Sequence, residues 1–171
     1  MAIGTQRVQL QDSNMNWYKA AGLHEKDMGM KREFAGLTVH VENPAGTIRM
    51  GIDPDGEEWR IDMKYDYGFL YCSVGADDEG LDVYLGPDQE AKTVYIVHQA
   101  KPDTGEYDED KVMLGFENAK AAKKAYLDHY NSADFFGSMS QLPYTEFFEL
   151  ATKGGRTKVN WKKKSRKTVI K

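Results

Sequence analysis

Residues 65–70 read Tyr-Asp-Tyr-Gly-Phe-Leu, and residues 75–85 read Gly-Ala-Asp-Asp-Glu-Gly-Leu-Asp-Val-Tyr-Leu. The second stretch carries four carboxylates within six residues, namely Asp77, Asp78, Glu79 and Asp82. Carboxylates this close repel one another unless a positive charge lies among them. Hard oxygen ligands without a neighbouring His or Cys cluster favour Mg²⁺, Mn²⁺ or Ca²⁺ over zinc. The stretch is therefore either a metal site or, as the simpler alternative, a solvated acidic turn.

A second acidic group follows about twenty residues later in the chain. Its members are Asp103, Glu106, Asp108, Glu109 and Asp110, and Lys111 comes directly after them. If the strands that bear the two groups are neighbours, their carboxylates can hold two or more metal ions and activate a water between them. The ligand spacing of a calcium-binding helix-loop-helix is absent from both groups.

Short strand patterns begin at Gly36. Leu37, Val39 and Val41 alternate with polar residues, which is typical of a half-buried strand. Further strand candidates, separated by turns rich in Asp, Pro and Gly, are residues 47–52, 58–63, 69–74, 81–85 and 93–99. Residues 117–130 and 143–150 have helical patterns. The sequence thus predicts an α+β domain in which a small β-barrel or sandwich is covered by outer helices.

Pattern and charge divide the chain into three parts: an N-terminal arm (1–35) before the strand pattern begins, a body (36–152) and a basic tail (153–171). The tail holds nine Lys or Arg and no acidic residue, so the rest of the chain is strongly acidic. Such a tail is either a contact for nucleic acid or an acidic partner, or a solvated end. No apolar run is long enough for a membrane span and no signal peptide is recognisable, so we expect a cytoplasmic protein without membrane contact.

The motifs resemble the signature of the soluble inorganic pyrophosphatase family. In that signature a Tyr-Gly-aromatic-aliphatic strand precedes Asp-Gly-Asp-Pro-x-Asp-aliphatic, and the resemblance runs from about residue 36 to 130. It looks closer still to pyrophosphatase-like domains of phage and polyvalent proteins. The resemblance implies an OB-like five-stranded β-barrel with outer helices and Mg²⁺-dependent hydrolysis of pyrophosphate to phosphate, with Mn²⁺ as an alternative metal.

The resemblance also implies roles for individual residues. The metal ligands that it implies are Asp77, Glu79, Asp82, Asp103 and Asp108, with Asp110 as the alternative to Asp108. Glu79 and Asp77 would help to deprotonate the attacking water, and Tyr67 would hydrogen-bond the phosphate. The implied substrate-binding residues are Arg49, Lys111, Tyr130 and the early glutamate Glu42. Three histidines, His40, His98 and His129, lack ligand spacing and are expected on the surface.

Several positions depart from the family pattern. Glu79 replaces an aspartate, Gly80 a proline, Gly51 a glutamate and Asn131 a lysine. One extra methylene at Glu79 displaces its oxygen by about 1 Å, and a displacement of that size can slow a reaction about a hundredfold. These changes favour an alternative function: a weak or inactive pyrophosphatase-like fold that serves as a phage virion structural or interaction protein. Its partners would be phage structural proteins, nucleic acid at the basic tail, or further copies of the chain in a homo-oligomer, in the host cytoplasm or on the virion.

Overall fold

The computed structural model describes residues 30–74, 80–152, 157–158 and 169–170. Within these residues the chain is mostly β with two α-helices, which confirms the predicted α+β class. The strands are β1 (Met30–Phe34), β2 (Leu37–Asn43), β3 (Ile48–Ile52), β4 (Glu58–Asp62), β5 (Asp66–Val74), β6 (Gly80–Leu85), β7 (Thr93–Ala100), β8 (Tyr107–Leu114), β9 (Phe136–Pro143), β10 (Thr157–Lys158) and β11 (Val169–Ile170). The helices are α1 (Ala119–Leu127), a short 3-10 helix (Ala133–Phe135) and α2 (Tyr144–Thr152).

Most strands form one sheet in the order β1-β2-β5-β6-β8-β7-β9-β11, with β10 paired to β5. Strands β3 and β4 form a separate hairpin. The expected five-stranded closed barrel is therefore wrong in two respects. The sheet has more than five strands, and in the described part of the chain no pairing joins its two edges. The added strands include β1 and β9, which carry many polar residues and so show no clear strand pattern in the sequence.

The large sheet nevertheless curls strongly. Tyr144 directly follows β9, and its hydroxyl donates a hydrogen bond to the carbonyl of Ala35 in the turn between β1 and β2. In a flat sheet β2 and β9 would lie about 24 Å apart, because five spacings of about 4.8 Å separate them. A tyrosine side chain cannot span that distance, so curvature brings the two ends of the sheet together. The result is a curled sheet whose hydrogen bonding stays open.

Both faces of the sheet are buried, each under one helix. Along β8, Val112 and Leu114 belong to one core cluster and Met113 to the other, as the alternation of a strand requires. The first cluster includes Phe147 and Ala151 of α2. The second cluster is rich in aromatic residues and includes three side chains of α1, namely Ala122, Ala125 and Tyr126. The side chain of Lys111, two residues before Met113, lies on the α1 face.

Helix α1 is shorter than the sequence predicts, and α2 begins and ends later than predicted. The side chain of Asn118 accepts a hydrogen bond from the backbone N–H of Ala121 at 2.8 Å, and this cap makes α1 begin at Ala119 rather than at residue 117. Pro143 ends β9, and α2 begins one residue later. Among the described residues, neither helix has the length and apolar character needed to cross a membrane.

A close approach of two strands explains the glycine in the Tyr-Gly motif. Gly68 of β5 lies opposite Val41 of β2 and Val83 of β6. A Cβ atom at Gly68 would lie 1.9 Å from the backbone oxygen of His40. Only glycine therefore allows β2 and β5 to pair at this distance.

We expect Gly68→Ala to lower the free energy of unfolding by about 3 kcal/mol or more, because a backbone oxygen cannot rotate away from the added methyl group. Gly105→Ala is the matched control. Gly105 has φ +77° and nothing within 4 Å of an added Cβ, so that substitution should cost only about 1 kcal/mol of backbone strain. Chemical denaturation followed by circular dichroism compares the two; equal, small losses would contradict the close approach.

Candidate active site

A buried lysine lies at the centre of the candidate active site. Lys111 in β8 is 5% exposed. Its ammonium donates to the hydroxyl of Tyr67 at 2.9 Å and forms ion pairs with Asp82 Oδ2 at 2.5 Å and Glu109 Oε1 at 3.0 Å. An ammonium has three N–H donors, so these three partners use all of them.

The strand register explains why these four side chains meet. Asp82 lies directly opposite Lys111 in the parallel pair of β6 and β8. Glu109 precedes Lys111 by two residues, so both side chains point to the same face of the sheet. Tyr67 comes from β5, where it lies opposite Tyr84, and Tyr84 is two residues after Asp82. Three neighbouring strands thus direct one group each, and β8 a second, to a single point.

The electrostatic environment keeps Lys111 charged and Tyr67 neutral. Burial by itself lowers the pKa of Lys111, but Tyr67, Asp82 and Glu109 together outweigh it, and the pKa is raised well above its ordinary value. Burial, aided by the charge of Asp82, also raises the pKa of Tyr67 well above its ordinary value. The Tyr67 hydroxyl accepts a hydrogen bond from Lys111 and retains its own proton for donation to a ligand.

A second cation lies near the Tyr67 ring. The guanidinium carbon of Arg49 in β3 is 5.3 Å from the ring centre of Tyr67 and 5.7 Å from that of Trp59 in β4. Both distances fall within the range of cation–π attraction. Trp59 lies opposite Gly51, and a Cβ at Gly51 would be 2.6 Å from the indole. Glycine at position 51 therefore leaves room for the ring that packs on Arg49.

Aromatic rings line the α1 side of the site. The ring centres of Tyr67 and Tyr84 are 4.6 Å apart, and that of His129 lies 4.9 Å from Tyr84. Tyr130, just after α1, stacks on Tyr126 at 4.4 Å. Burial raises the pKa of Tyr130, and the positive charge of Lys111 opposes that shift. Tyr130 therefore lies within electrostatic reach of Lys111 and keeps its proton.

A bulge in β8 decides how the second acidic group is presented. Gln99 of β7 pairs with Glu109 and Ala100 pairs with Tyr107, which leaves Asp108 as the extra residue. The Gln99 amide donates to Asp108 at 3.2 Å and to Glu109 at 3.3 Å, and its oxygen accepts from Tyr126 at 2.7 Å. Asp108 itself is exposed. Gln99 thus orients both carboxylates, of which Glu109 is the one that contacts Lys111.

Asp110 lies on the opposite face of the sheet, away from Lys111. Its carboxylate is 2.6 Å from Nδ1 of His98, and Nε2 of His98 is 2.7 Å from the hydroxyl of Ser140. All three residues are buried. Asp110, the alternative to Asp108 among the expected ligands, is therefore occupied by a buried network on the side of α2.

The sequence analysis expected the three histidines on the surface, and this expectation is wrong. His40, His98 and His129 are each buried. Burial is tolerated because the rings have partners: His40 stacks on Phe69 with ring centres 5.0 Å apart. His129 lies between the carbonyl of Ala125, 2.6 Å from Nδ1, and the N–H of Lys64, 3.0 Å from Nε2. Since a backbone N–H can only donate, Nε2 accepts, and the ring proton is on Nδ1.

The remaining expected residues have different positions. Asp103 lies in the exposed turn between β7 and β8. Glu42 is half-buried at the bulge of β2, next to Asn43, which pairs with Tyr67. Asp77 and Glu79 lie outside the described residues. Asp82, Lys111, Tyr67, Arg49 and Tyr130 are the expected residues that the fold brings to one place.

The sequence analysis did not expect Gln99 and Trp59 in the site, and it named Glu109 only as a member of the second acidic group. A signal existed for Glu109, because it precedes Lys111 by two residues and side chains two apart in a strand share a face. The signal was hidden because residues 107–111 are almost all charged and do not look like a strand. Gln99 and Trp59 had no signal beyond membership of a strand.

The oxygen donors of the site suit a hard divalent cation. Asp82 and Glu109 place two carboxylates around one cationic atom, Nζ of Lys111. Carboxylate oxygens are the ligands that Mg²⁺ prefers. In residues 30–74, 80–152 and the two short C-terminal strands, no group of three or more potential metal ligands is assembled. A complete metal site would therefore draw on further carboxylates, such as Asp77 and Glu79.

The chain matches a known protein family. A family model described as Inorganic Pyrophosphatase matches residues 13–152, which is most of the chain. The match includes every described residue of the candidate site. No curated protein and no solved structure matches.

The buried His129 predicts a pH dependence of stability. Burial lowers its pKa from the ordinary 6.5, so below that pH the unfolded chain binds a proton that the folded chain does not. The contribution of His129 to the free energy of unfolding should therefore be fully present above about pH 6.5. It should fall as the pH drops below that value, by at most about 1.4 kcal/mol per pH unit. His129→Asn, which keeps a donor near Ala125, should remove this part of the slope. Denaturation at several pH values measures it, and an unchanged slope in the variant would contradict the assignment.

Proposed function

Because the chain belongs to the inorganic pyrophosphatase family, we propose that it hydrolyses inorganic pyrophosphate to two phosphates with the help of Mg²⁺. In this reaction a water oxygen attacks one phosphorus, and the bond from that phosphorus to the bridging oxygen breaks. The second phosphate leaves with the bridging oxygen. Both the attacking and the leaving oxygens need compensation of negative charge.

The observation that carries the proposal is the convergence of Lys111, Tyr67, Asp82 and Glu109, with Arg49 beside them. Lys111 and Arg49 approach Tyr67, with Lys111 Nζ 2.9 Å from the hydroxyl and Arg49 5.3 Å from the ring centre. Positive groups of this kind bind phosphate oxygens, and arginine can do so with two parallel hydrogen bonds. The protonated hydroxyl of Tyr67 adds a neutral donor next to Lys111.

The carboxylates are assigned to the metal. Asp82 and Glu109 would hold Mg²⁺ together with Asp103 and, by the family resemblance, Asp77 and Glu79. When bound, Mg²⁺ supplies positive charge at the phosphate oxygens and makes a coordinated water more acidic. Glu79, or Asp77 beside it, would take the proton of the attacking water. Tyr130 and Glu42 would complete the substrate-binding side.

Glu109 replaces Asp108 in the ligand set that we propose. Both are held by Gln99, but only Glu109 is seen in an ion pair with Lys111. The bulge at Asp108 shifts the register by one residue, so the carboxylate on the face of Asp82 is that of Glu109. Asp108 is left as an exposed neighbour.

A catalytically weak or inactive member of the family is the second candidate. It is favoured by the indole of Trp59, which fills the space beside Gly51 where the family has a glutamate. Such a protein would act by binding, as a virion structural or interaction protein. Phage origin, virion attachment, a cytoplasmic location, homo-oligomer formation and nucleic-acid contact by the basic tail stay predictions.

We expect Asp82→Asn to lower kcat for pyrophosphate by about a hundredfold or more, because it removes a charge from the metal and unbalances Lys111. Phosphate release in Mg²⁺ buffer measures the rate. Glu90→Gln, an exposed carboxylate in the turn after β6, is the control and should keep the wild-type rate. Full activity in Asp82→Asn would exclude this site. A wild-type protein without turnover that gains activity in Glu79→Asp would support the second candidate.

The ligand assignment predicts an order of effects within the second acidic group. Glu109→Gln should lower kcat by about tenfold or more and raise the Mg²⁺ concentration needed for half-maximal rate. Asp108→Asn is the matched change at the adjacent carboxylate and should have the smaller effect. Steady-state kinetics over a range of Mg²⁺ concentrations tests the order, and a larger loss in Asp108→Asn would return the role to Asp108.

A further inference from the structure

The contacts of Lys111 have a second consequence. Its ammonium lies between two carboxylates that come from different strands, Asp82 of β6 and Glu109 of β8. Both carboxylates are largely buried, with side chains 21% and 23% exposed, and that of Lys111 is 6% exposed. Two carboxylates converging on one atom form the arrangement that a bridging metal ion would use. In this chain a lysine of the chain itself takes that place.

We propose that Lys111 acts as a tethered cation that competes with a divalent metal ion for the carboxylates of Asp82 and Glu109, so that metal binding releases Lys111 toward the substrate. The inference rests on the proposed function for the nature of the metal and the substrate. The competition would set the order in which the metal ion and the substrate bind, and it would give Lys111 a role in metal affinity.

Competition follows from distance and charge. Mg²⁺ binds carboxylate oxygens at about 2.0–2.1 Å, and the ammonium is already 2.5 Å from Asp82 and 3.0 Å from Glu109. A cation between the same oxygens would lie within a few ångströms of Nζ, where two like charges in a largely buried site repel strongly. Either the ammonium withdraws or the metal binds less tightly.

Withdrawal does not require Lys111 to leave the site. The hydroxyl of Tyr67, 2.9 Å from Nζ, is a third partner that a metal would not take. An ammonium that keeps Tyr67 and gives up both carboxylates has two N–H donors left for new acceptors. Arg49, whose guanidinium carbon is 5.3 Å from the centre of the Tyr67 ring, is a second positive group near which negatively charged oxygens would be received. Metal binding would in this way create the phosphate site, and pyrophosphate would bind after the metal.

The same contacts determine how much the site destabilises the fold when no divalent ion is bound. Two largely buried carboxylates destabilise a fold unless a positive charge compensates them. Lys111 supplies this charge, so the strands β6 and β8 can pair at Asp82 and Lys111 without a metal. Lys111 would thus raise the stability of the metal-free protein and lower its affinity for the metal ion.

The test is a titration of the protein with Mg²⁺ in the absence of pyrophosphate, measured by isothermal titration calorimetry. We expect Lys111→Met to bind Mg²⁺ about tenfold more tightly than the wild type, because a competing cation has been removed. Lys111→Arg keeps the charge and should stay near the wild type. Lys92→Met removes an exposed lysine next to β7 and serves as the control for net charge. Equal or weaker Mg²⁺ binding by Lys111→Met than by Lys92→Met overturns the inference, and so does an absence of Mg²⁺ binding in all of them.

A measurement on the wild type covers the case in which Lys111→Met does not fold. The hydrogen-bonded ammonium of a buried lysine can be followed by nitrogen-15 NMR, and its signal should shift or broaden as Mg²⁺ is added. An unchanged Lys111 signal at saturating Mg²⁺ overturns the inference. Neither measurement depends on turnover, so tighter Mg²⁺ binding in Lys111→Met without any pyrophosphatase activity would uphold the competition and refute the proposed function.

Discussion

The ion pairs of Lys111 with Asp82 and Glu109 are the constraint on which the rest of the site depends. A buried charge is tolerated only when its partners are complete, because each unpaired charge would cost more than ordinary packing can offset. Lys111 meets this condition through three partners on β5, β6 and β8. The parallel pairing of β6 with β8 places Asp82 opposite Lys111. The order of strands in the middle of the sheet thus also determines which side chains meet in the site.

The two faces of the sheet carry two separate polar networks. On the α1 face, Gln99 links Tyr126 to Asp108 and Glu109, next to Lys111. On the α2 face, Asp110, His98 and Ser140 form a buried chain of hydrogen bonds. Successive residues of β8 therefore serve different purposes, and the bulge at Asp108 determines which carboxylate belongs to which face. The second network satisfies its own polar groups within the core, where unpaired groups would be costly.

The hairpin of β3 and β4 holds Arg49 against two aromatic rings. Gly51 has no side chain, and the indole of Trp59 lies against it. The indole and Tyr67 then hold the guanidinium of Arg49 at 5.7 Å and 5.3 Å from their ring centres. The hairpin thus places a positive group next to Tyr67.

The sequence by itself determined the class of fold and the family. Alternation in β2, the short strand patterns of β5, β6 and β7, two helical segments and the Tyr-Gly motif are local features, because strand and helix periodicity depends on near neighbours. They also led to Asp82, Lys111, Tyr67 and Arg49. Only the tertiary structure decided the openness of the sheet, the burial of the three histidines and the ion pair of Lys111 with Glu109. Those features depend on which strands pair and in which register, and a shift of one residue turns every side chain of a strand to the other face.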